Sequence, residues 1–107
     1  MVKTECKLDR FEPFLRNDVT TAVGILSGLP KVRRIWLFGS VAKGRKPDFR
    51  SDVDLAVEGL REEDHLKALG MLDDNLRLPP DLVRWEEANA LLRAEIQYWG
   101  ILLYDRS

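Results

Sequence analysis

Leu37-Phe38-Gly39-Ser40-Val41-Ala42-Lys43-Gly44, followed after a charged connector by Ser51-Asp52-Val53-Asp54-Leu55, is the stretch that decides the fold. Val32 to Phe38 (VRRIWLF) is rich in β-branched and aromatic residues and predicts a strand, with Ile35 and Leu37 facing a core. Gly39 follows at once, and Ser40 to Gly44 leaves room for one or two helical turns. Gly44 to Ser51 (GRKPDFRS) combines glycine, proline and charge and predicts a loop. Val53 to Val57 (VDLAV) predicts a second strand, in which Asp52 and Asp54 alternate with Val53 and Leu55. The connector is too short for a crossover helix, so these two strands are expected to run antiparallel.

Upstream, the apolar residues from Leu8 to Ser27 recur at helical spacing, with Pro13 marking a turn or a helix start and Gly28-Leu29-Pro30 a stop. Downstream, Glu62 to Leu76 predicts an amphipathic helix with Leu66, Leu69, Leu72 and Leu76 on one stripe and acidic residues at its N-terminus. Asp81 to Trp85 (DLVRW), after Pro79-Pro80, predicts a third strand. A long helix joins it to the second, so these two should be parallel. Glu87 to Trp99 predicts a last helix, Gly100 stands where a C′ glycine belongs, and Ile101 to Tyr104 suits an edge strand. The expected fold class is α/β (α+β), a small mixed β-sheet flanked by helices, with residues 1–107 forming one domain.

Composition narrows the chemistry. At 45% hydrophobic and 33% charged residues, the chain is neither collagen-like, disordered nor coiled coil. One Cys6 and one His65 cannot build a Cys/His zinc site, so any metal would rest on carboxylates, which favours magnesium, manganese or calcium. No apolar run approaches the roughly 18 residues of a membrane span, and Met1 to Glu5 lacks a signal-peptide stretch, so a cytoplasmic location is expected. A pI near 5.8 argues against stable nucleic-acid binding. Residues 1–50 hold eleven Lys/Arg against five Asp/Glu, and residues 51–107 hold six against thirteen. These halves either pair within the fold or face each other across a cleft, with cations for phosphates on one side and carboxylates for metal on the other.

Residues two apart on a strand share a face, so Asp52 and Asp54 project into one small volume. Paired carboxylates repel unless a cation lies between them, and magnesium is commonly held by one or two carboxylates plus substrate phosphates. An acidic pair on a solvent-facing strand is the plainer alternative. Gly39 directly after a strand lets backbone amides approach a phosphate, and the Ser40 hydroxyl can donate to it. An ordinary turn with a serine cap is the alternative there. Gly39-x-x-x-x-Gly44-Arg45-Lys46 is not a P-loop, because the lysine and the hydroxyl are both misplaced.

Phe38-Gly39-Ser40, eleven intervening residues and Asp52-Val53-Asp54-Leu55 together resemble the hG[S/G]…DhD pattern of the DNA polymerase β-like nucleotidyltransferase superfamily. The fuller string LFGSVAKG…SDVDLAV is similar to the minimal nucleotidyltransferases (MNT) that act as antitoxins to HEPN-domain toxins. This resemblance implies a nucleotidyltransferase fold and a third carboxylate on the next central strand, at Asp81. Arg84 stands where relatives often carry a further acid, which leaves Glu86 as an alternative third ligand, and Lys43 stands where relatives commonly have Arg. It further implies ATP as substrate and two Mg2+ ions, or Mn2+, on Asp52, Asp54 and Asp81, with Asp81 helping to deprotonate the acceptor.

In that scheme Gly39 and Ser40 hold the β/γ phosphates. Lys43, Arg45 and Lys46 offset charge on pyrophosphate, unless they form only a solvated basic loop. The implied activity is transfer of AMP to a hydroxyl, a tyrosine of a partner HEPN toxin. A non-catalytic antitoxin acting by occlusion and a small-molecule nucleotidyltransferase remain the alternatives, and a homo-oligomer stays open. His65 is expected at the surface, and Trp36, Trp85 and Trp99 in the core or facing a partner.

Overall fold

The computed structural model describes residues 11–44 and 51–106. Its first helix, α1, runs Pro13–Ser27, with Pro13 at the first helical position, where its missing N–H costs nothing. The predicted helix residues 8–10 lie outside the described residues. Strand β1 spans Arg34–Phe38 and passes directly into the single-turn helix α2, Gly39–Ala42. Strand β2 is Val53–Glu58, helix α3 Glu62–Asn75 and strand β3 Pro80–Arg84. A short 3-10 turn, Trp85–Glu87, leads to helix α4, Ala90–Trp99, and strand β4, Ile101–Asp105.

The four strands form one mixed sheet in the order β3-β2-β1-β4. β1 runs antiparallel to β2 and β4, and β2 runs parallel to β3, as the connector lengths require. Strand alternation sorts the side chains. Ile35, Leu37, Val53, Leu55, Val57 and Leu82 point to the face covered by α1 and α3, whose Leu15, Val19, Leu26 and Leu72 complete the main core. Phe38 and Ala56 point to the other face, where Ile96 of α4 lies over them with Trp36, Val83, Trp85 and Leu92 alongside. Among the described residues, one face thus carries two helices and the other the ten residues of α4.

Asp18 is the one charged side chain buried among the described residues. Its two carboxylate oxygens accept from the backbone N–H groups of Arg77 and Leu78, both at 2.9 Å. This joins α1 to the connector that feeds β3, and Val53 N–H donates to the Pro79 carbonyl at 2.9 Å to seat the same connector against β2.

Several boundaries differ from those expected. Lys31 takes a positive φ of 69°, and the strand starts only at Arg34, although Val32 is buried. The last helix starts at Ala90 rather than Glu87, because the Asn89 side chain caps it by accepting from Leu92 N–H at 2.8 Å. Leu66 is 81% exposed, and the inner face of α3 is carried by Ala68 and Leu72 with Leu69 alongside. Gly100 is extended (φ −69°), not left-handed; its need is space, since a Cβ there would overlap the Ile96 carbonyl oxygen.

Candidate active site

The C-terminal end of β1 and the N-terminal ends of β2 and β3 meet at one edge of the sheet. Register sets Phe38 opposite Asp54 and Asp54 beside Asp81. Asp54 shares the parity of Ala56, and Asp81 that of Val83, so both carboxylates project to the α4 side. Neighbouring strands lie only about 4.8 Å apart, which makes these two acids close neighbours on one face. Asp52, exposed, lies just before the first residue of β2.

Gly39 turns the chain out of β1 with φ +81°, in the left-handed region. A Cβ here would overlap the Asp54 carboxylate, whose Cγ would lie 3.0 Å away. The position needs glycine twice over, for its backbone angle and for the close approach of Asp54. The turn then closes through Lys43 N–H to Gly39 O at 3.2 Å and Gly44 N–H to Val41 O at 3.1 Å.

Beside it opens a pocket of about 580 Å³ lined by Gly39, Ser40, Lys43, Gly44 and Glu95. Lys43 Nζ lies 3.5 Å from Glu95 Oε1 and 5.7 Å from the centre of the Trp99 ring. The Asp54 carboxyl is pushed up to about 6, first by burial and then by the like charges of Asp81, Asp52 and Glu95. Asp54 therefore feels the charge of three other acids. As the side chains stand, no three His, Cys, Asp or Glu among the described residues are grouped to hold a metal ion. The donors are nevertheless all carboxylate oxygens, the set that suits magnesium or manganese, and a divalent cation would relieve the crowding felt by Asp54.

The fold thus brings together Gly39, Ser40 and Lys43 around the pocket, and sets Asp54 against Gly39 with Asp81 and Asp52 near it, outside the pocket's lining. Arg45 and Lys46 lie outside the described residues. Glu86 is no third ligand. Its carboxylate accepts from Gly59 N–H at 2.8 Å, beyond the opposite end of β2 from Asp54. His65 is half-buried, and its Nε2 lies 2.8 Å from the Leu82 carbonyl, so its Nε2–H donates there and ties α3 to β3. Trp36 and Trp85 stack at 4.9 Å, with the Arg93 guanidinium 4.9 Å from the Trp85 ring centre, while Trp99 is half-exposed. Glu95 escaped the sequence reading, since a lone acid on an amphipathic helix carries no local signal of the strand edge it faces.

This arrangement is that of a nucleotidyltransferase, and the comparisons agree. The profile of the family described as polymerase beta, nucleotidyltransferase matches residues 21–107, and the chain belongs to that family. No curated protein is a significant sequence match. A minimal nucleotidyltransferase structure is similar at 28% identity and TM-score 0.64, over 83% of this chain and 92% of that one. A toxin–antitoxin structure with AMP-PNP is similar at 26% identity and TM-score 0.69, over 85% of this chain and 73% of that one. A tri-AMPylated HEPN toxin from Shewanella oneidensis in complex with MNT antitoxin shares the fold, at 23% identity and TM-score 0.67, over 85% of this chain and 72% of that one. No helix among the described residues is long and apolar enough to cross a membrane.

Proposed function

We propose that this chain, as a single minimal nucleotidyltransferase domain, transfers AMP from ATP to a tyrosine hydroxyl of a partner HEPN-domain toxin in the cytoplasm and thereby acts as its antitoxin. The observation that carries the reading is the packing of Gly39 against Asp54, with Asp81 in register beside it, at the edge of a pocket floored by Gly39 and Ser40. Similarity to structures with AMP-PNP and with an AMPylated toxin supports the nucleotide and the acceptor class.

Asp52, Asp54 and Asp81 would hold two magnesium ions, which when bound neutralise the triphosphate and acidify the acceptor hydroxyl. The chain's own groups do the rest. The Gly39–Ser40 amides and the Ser40 hydroxyl orient the terminal phosphates, and Lys43 offsets charge gathering on the leaving pyrophosphate. Asp81 takes the acceptor proton. The acceptor oxygen bonds to the α-phosphorus as the bond from that phosphorus to the β-phosphate bridging oxygen breaks, and pyrophosphate departs.

A protein acceptor is supported by α4, the helix that supplies Glu95 to the pocket. It exposes Leu91 at 81%, Tyr98 at 79% and Trp99 at 49%. Leu91, Glu95 and Tyr98 fall at i, i+4 and i+7, so this apolar arc leads along the helix toward the pocket. The same arc favours a second contribution, neutralisation by occupancy of the partner surface. Transfer is tested with α-labelled ATP and the purified partner. Wild type should label the partner, and Asp52→Asn with Asp54→Asn should not, while the circular dichroism spectrum is unchanged. Labelling by the double variant would refute the site.

A further inference from the structure

Resting on the reading above, we infer that Glu95 is a positioning residue that acts on nucleotide through Lys43: it is an internal competitor for the ammonium group, and so makes the pocket select polyphosphate complexed to a divalent cation over bare polyphosphate.

The charged groups among the described residues lining the pocket are Lys43 and Glu95, one of each sign, from segments 52 residues apart. Their 3.5 Å contact is half in solvent, with both side chains 40% exposed. An ion pair this open is weak and readily exchanged, worth at most about 1 kcal/mol. The Trp99 ring, 5.7 Å from Nζ, holds the ammonium over the same spot by its negative face. Lys43 is therefore poised at the pocket with a carboxylate already as its partner.

Two consequences follow from the charges. A phosphate that reaches Lys43 must displace Glu95, and the freed carboxylate then repels it. Neither cost falls on Lys43 alone; both come from Glu95. Bare triphosphate or pyrophosphate thus meets no net positive charge from these two groups, and Asp52, Asp54 and Asp81 repel it further. A polyphosphate carrying divalent cations is drawn by those same three acids and can bear the exchange at Lys43. Glu95 in this way denies the site to free polyphosphate and speeds the loss of pyrophosphate once its cations leave.

The test is calorimetric titration of ATP and of pyrophosphate, each in excess EDTA and in excess magnesium, into wild type, Glu95→Gln, Lys43→Gln and the double variant. In EDTA, Glu95→Gln should tighten both ligands about five- to tenfold, the scale of a half-solvated unit charge at this range. With magnesium the gain should fall below about twofold, and in EDTA the gain from Glu95→Gln should be clearly smaller in the Lys43→Gln background, where only the repulsion by the carboxylate is left to relieve. An equal gain from Glu95→Gln in the Lys43→Gln background would overturn the inference, leaving only a general field of the carboxylate. So would no gain in EDTA with normal magnesium–ATP binding by wild type; that result spares the nucleotidyltransferase site. Wild type that fails to bind magnesium–ATP overturns both readings. Unchanged melting temperatures are expected throughout, since the pair is too exposed to support the fold.

Discussion

Gly39 and Asp54 constrain each other. The glycine's φ of +81° costs a residue with a Cβ about 1–2 kcal/mol, and the Asp54 contact adds a steric demand that an added methyl group, having no rotamer to change, cannot avoid. Gly39→Ala should therefore lose about 2–4 kcal/mol in urea unfolding and abolish transfer by displacing Asp54. Gly44→Ala, at φ +97° with nothing within 4 Å of the added carbon, carries the strain without the overlap and should cost less.

The raised Asp54 carboxyl predicts a stability profile. Its value of about 6 lies above the unfolded 3.8, so between those values the folded chain holds more proton than the unfolded one. Stability contributed by the protonated form is present below about pH 4 and is lost as pH rises to about 6. Asp54→Asn should thus stabilise the chain at pH 7.5 but not at pH 4, by on the order of 1 kcal/mol after allowance for solvent screening. Saturating magnesium should raise the melting temperature of wild type more at pH 7.5 than at pH 5, where protons compete for Asp54. Differential scanning fluorimetry across pH reads both effects.

At this scale the motif residues were legible because Gly39, Ser40, Asp52 and Asp54 lie at the facing ends of two adjacent strands, close enough in sequence for spacing to encode. Glu95 and Asp18 were not, since each acts on residues more than fifty positions away through the fold alone.

Among the elements, β3 bears a candidate site residue and depends on α1. Asp18→Ala leaves two N–H groups of the connector before β3 without their acceptor, which should cost about 2–4 kcal/mol and weaken activity by loosening Asp81. Asp18→Asn retains one acceptor oxygen and should cost less. Equilibrium unfolding separates the two. Helix α4 plays a different part, with Ile96 inward and Leu91 and Tyr98 outward. Leu91→Glu with Tyr98→Glu should leave melting temperature within a few degrees and weaken partner capture at least tenfold, measured by surface plasmon resonance against the purified toxin.

Strand directions were readable from connector lengths, and strand faces from alternation. Helix boundaries were less so. The 3-10 turn at Trp85–Glu87 and the Asn89 cap shorten α4, and Leu66 looks like a core residue until α3 is seen to turn Ala68 and Leu72 inward. Periodicity shows that a helix has an apolar stripe, but which leucines join it depends on the neighbouring layers.

Over the whole molecule, the basic first half and acidic second half are partly reconciled by pairing. Arg34 meets Glu58 at 2.7 Å and Asp105 at 3.5 Å, and Lys43 meets Glu95. The acids at the sheet edge are different, because the charges of Asp81 and Asp52 act against that of Asp54. Pairing therefore accounts for part of the charge asymmetry and leaves the acids at the sheet edge unneutralised by it. The sheet's thinly covered face places the acids, the pocket and the apolar arc of α4 on one side of the molecule.

A domain built this way should act on what docks beside it. The most direct measurement is the intact mass of the partner toxin co-expressed with wild type and with the Asp52→Asn/Asp54→Asn variant. One or more adenylyl increments with wild type alone, lost when the acceptor tyrosine is changed to phenylalanine, is the predicted result. An unmodified partner neutralised equally by both chains would contradict catalysis and leave occupancy of the toxin as the whole activity.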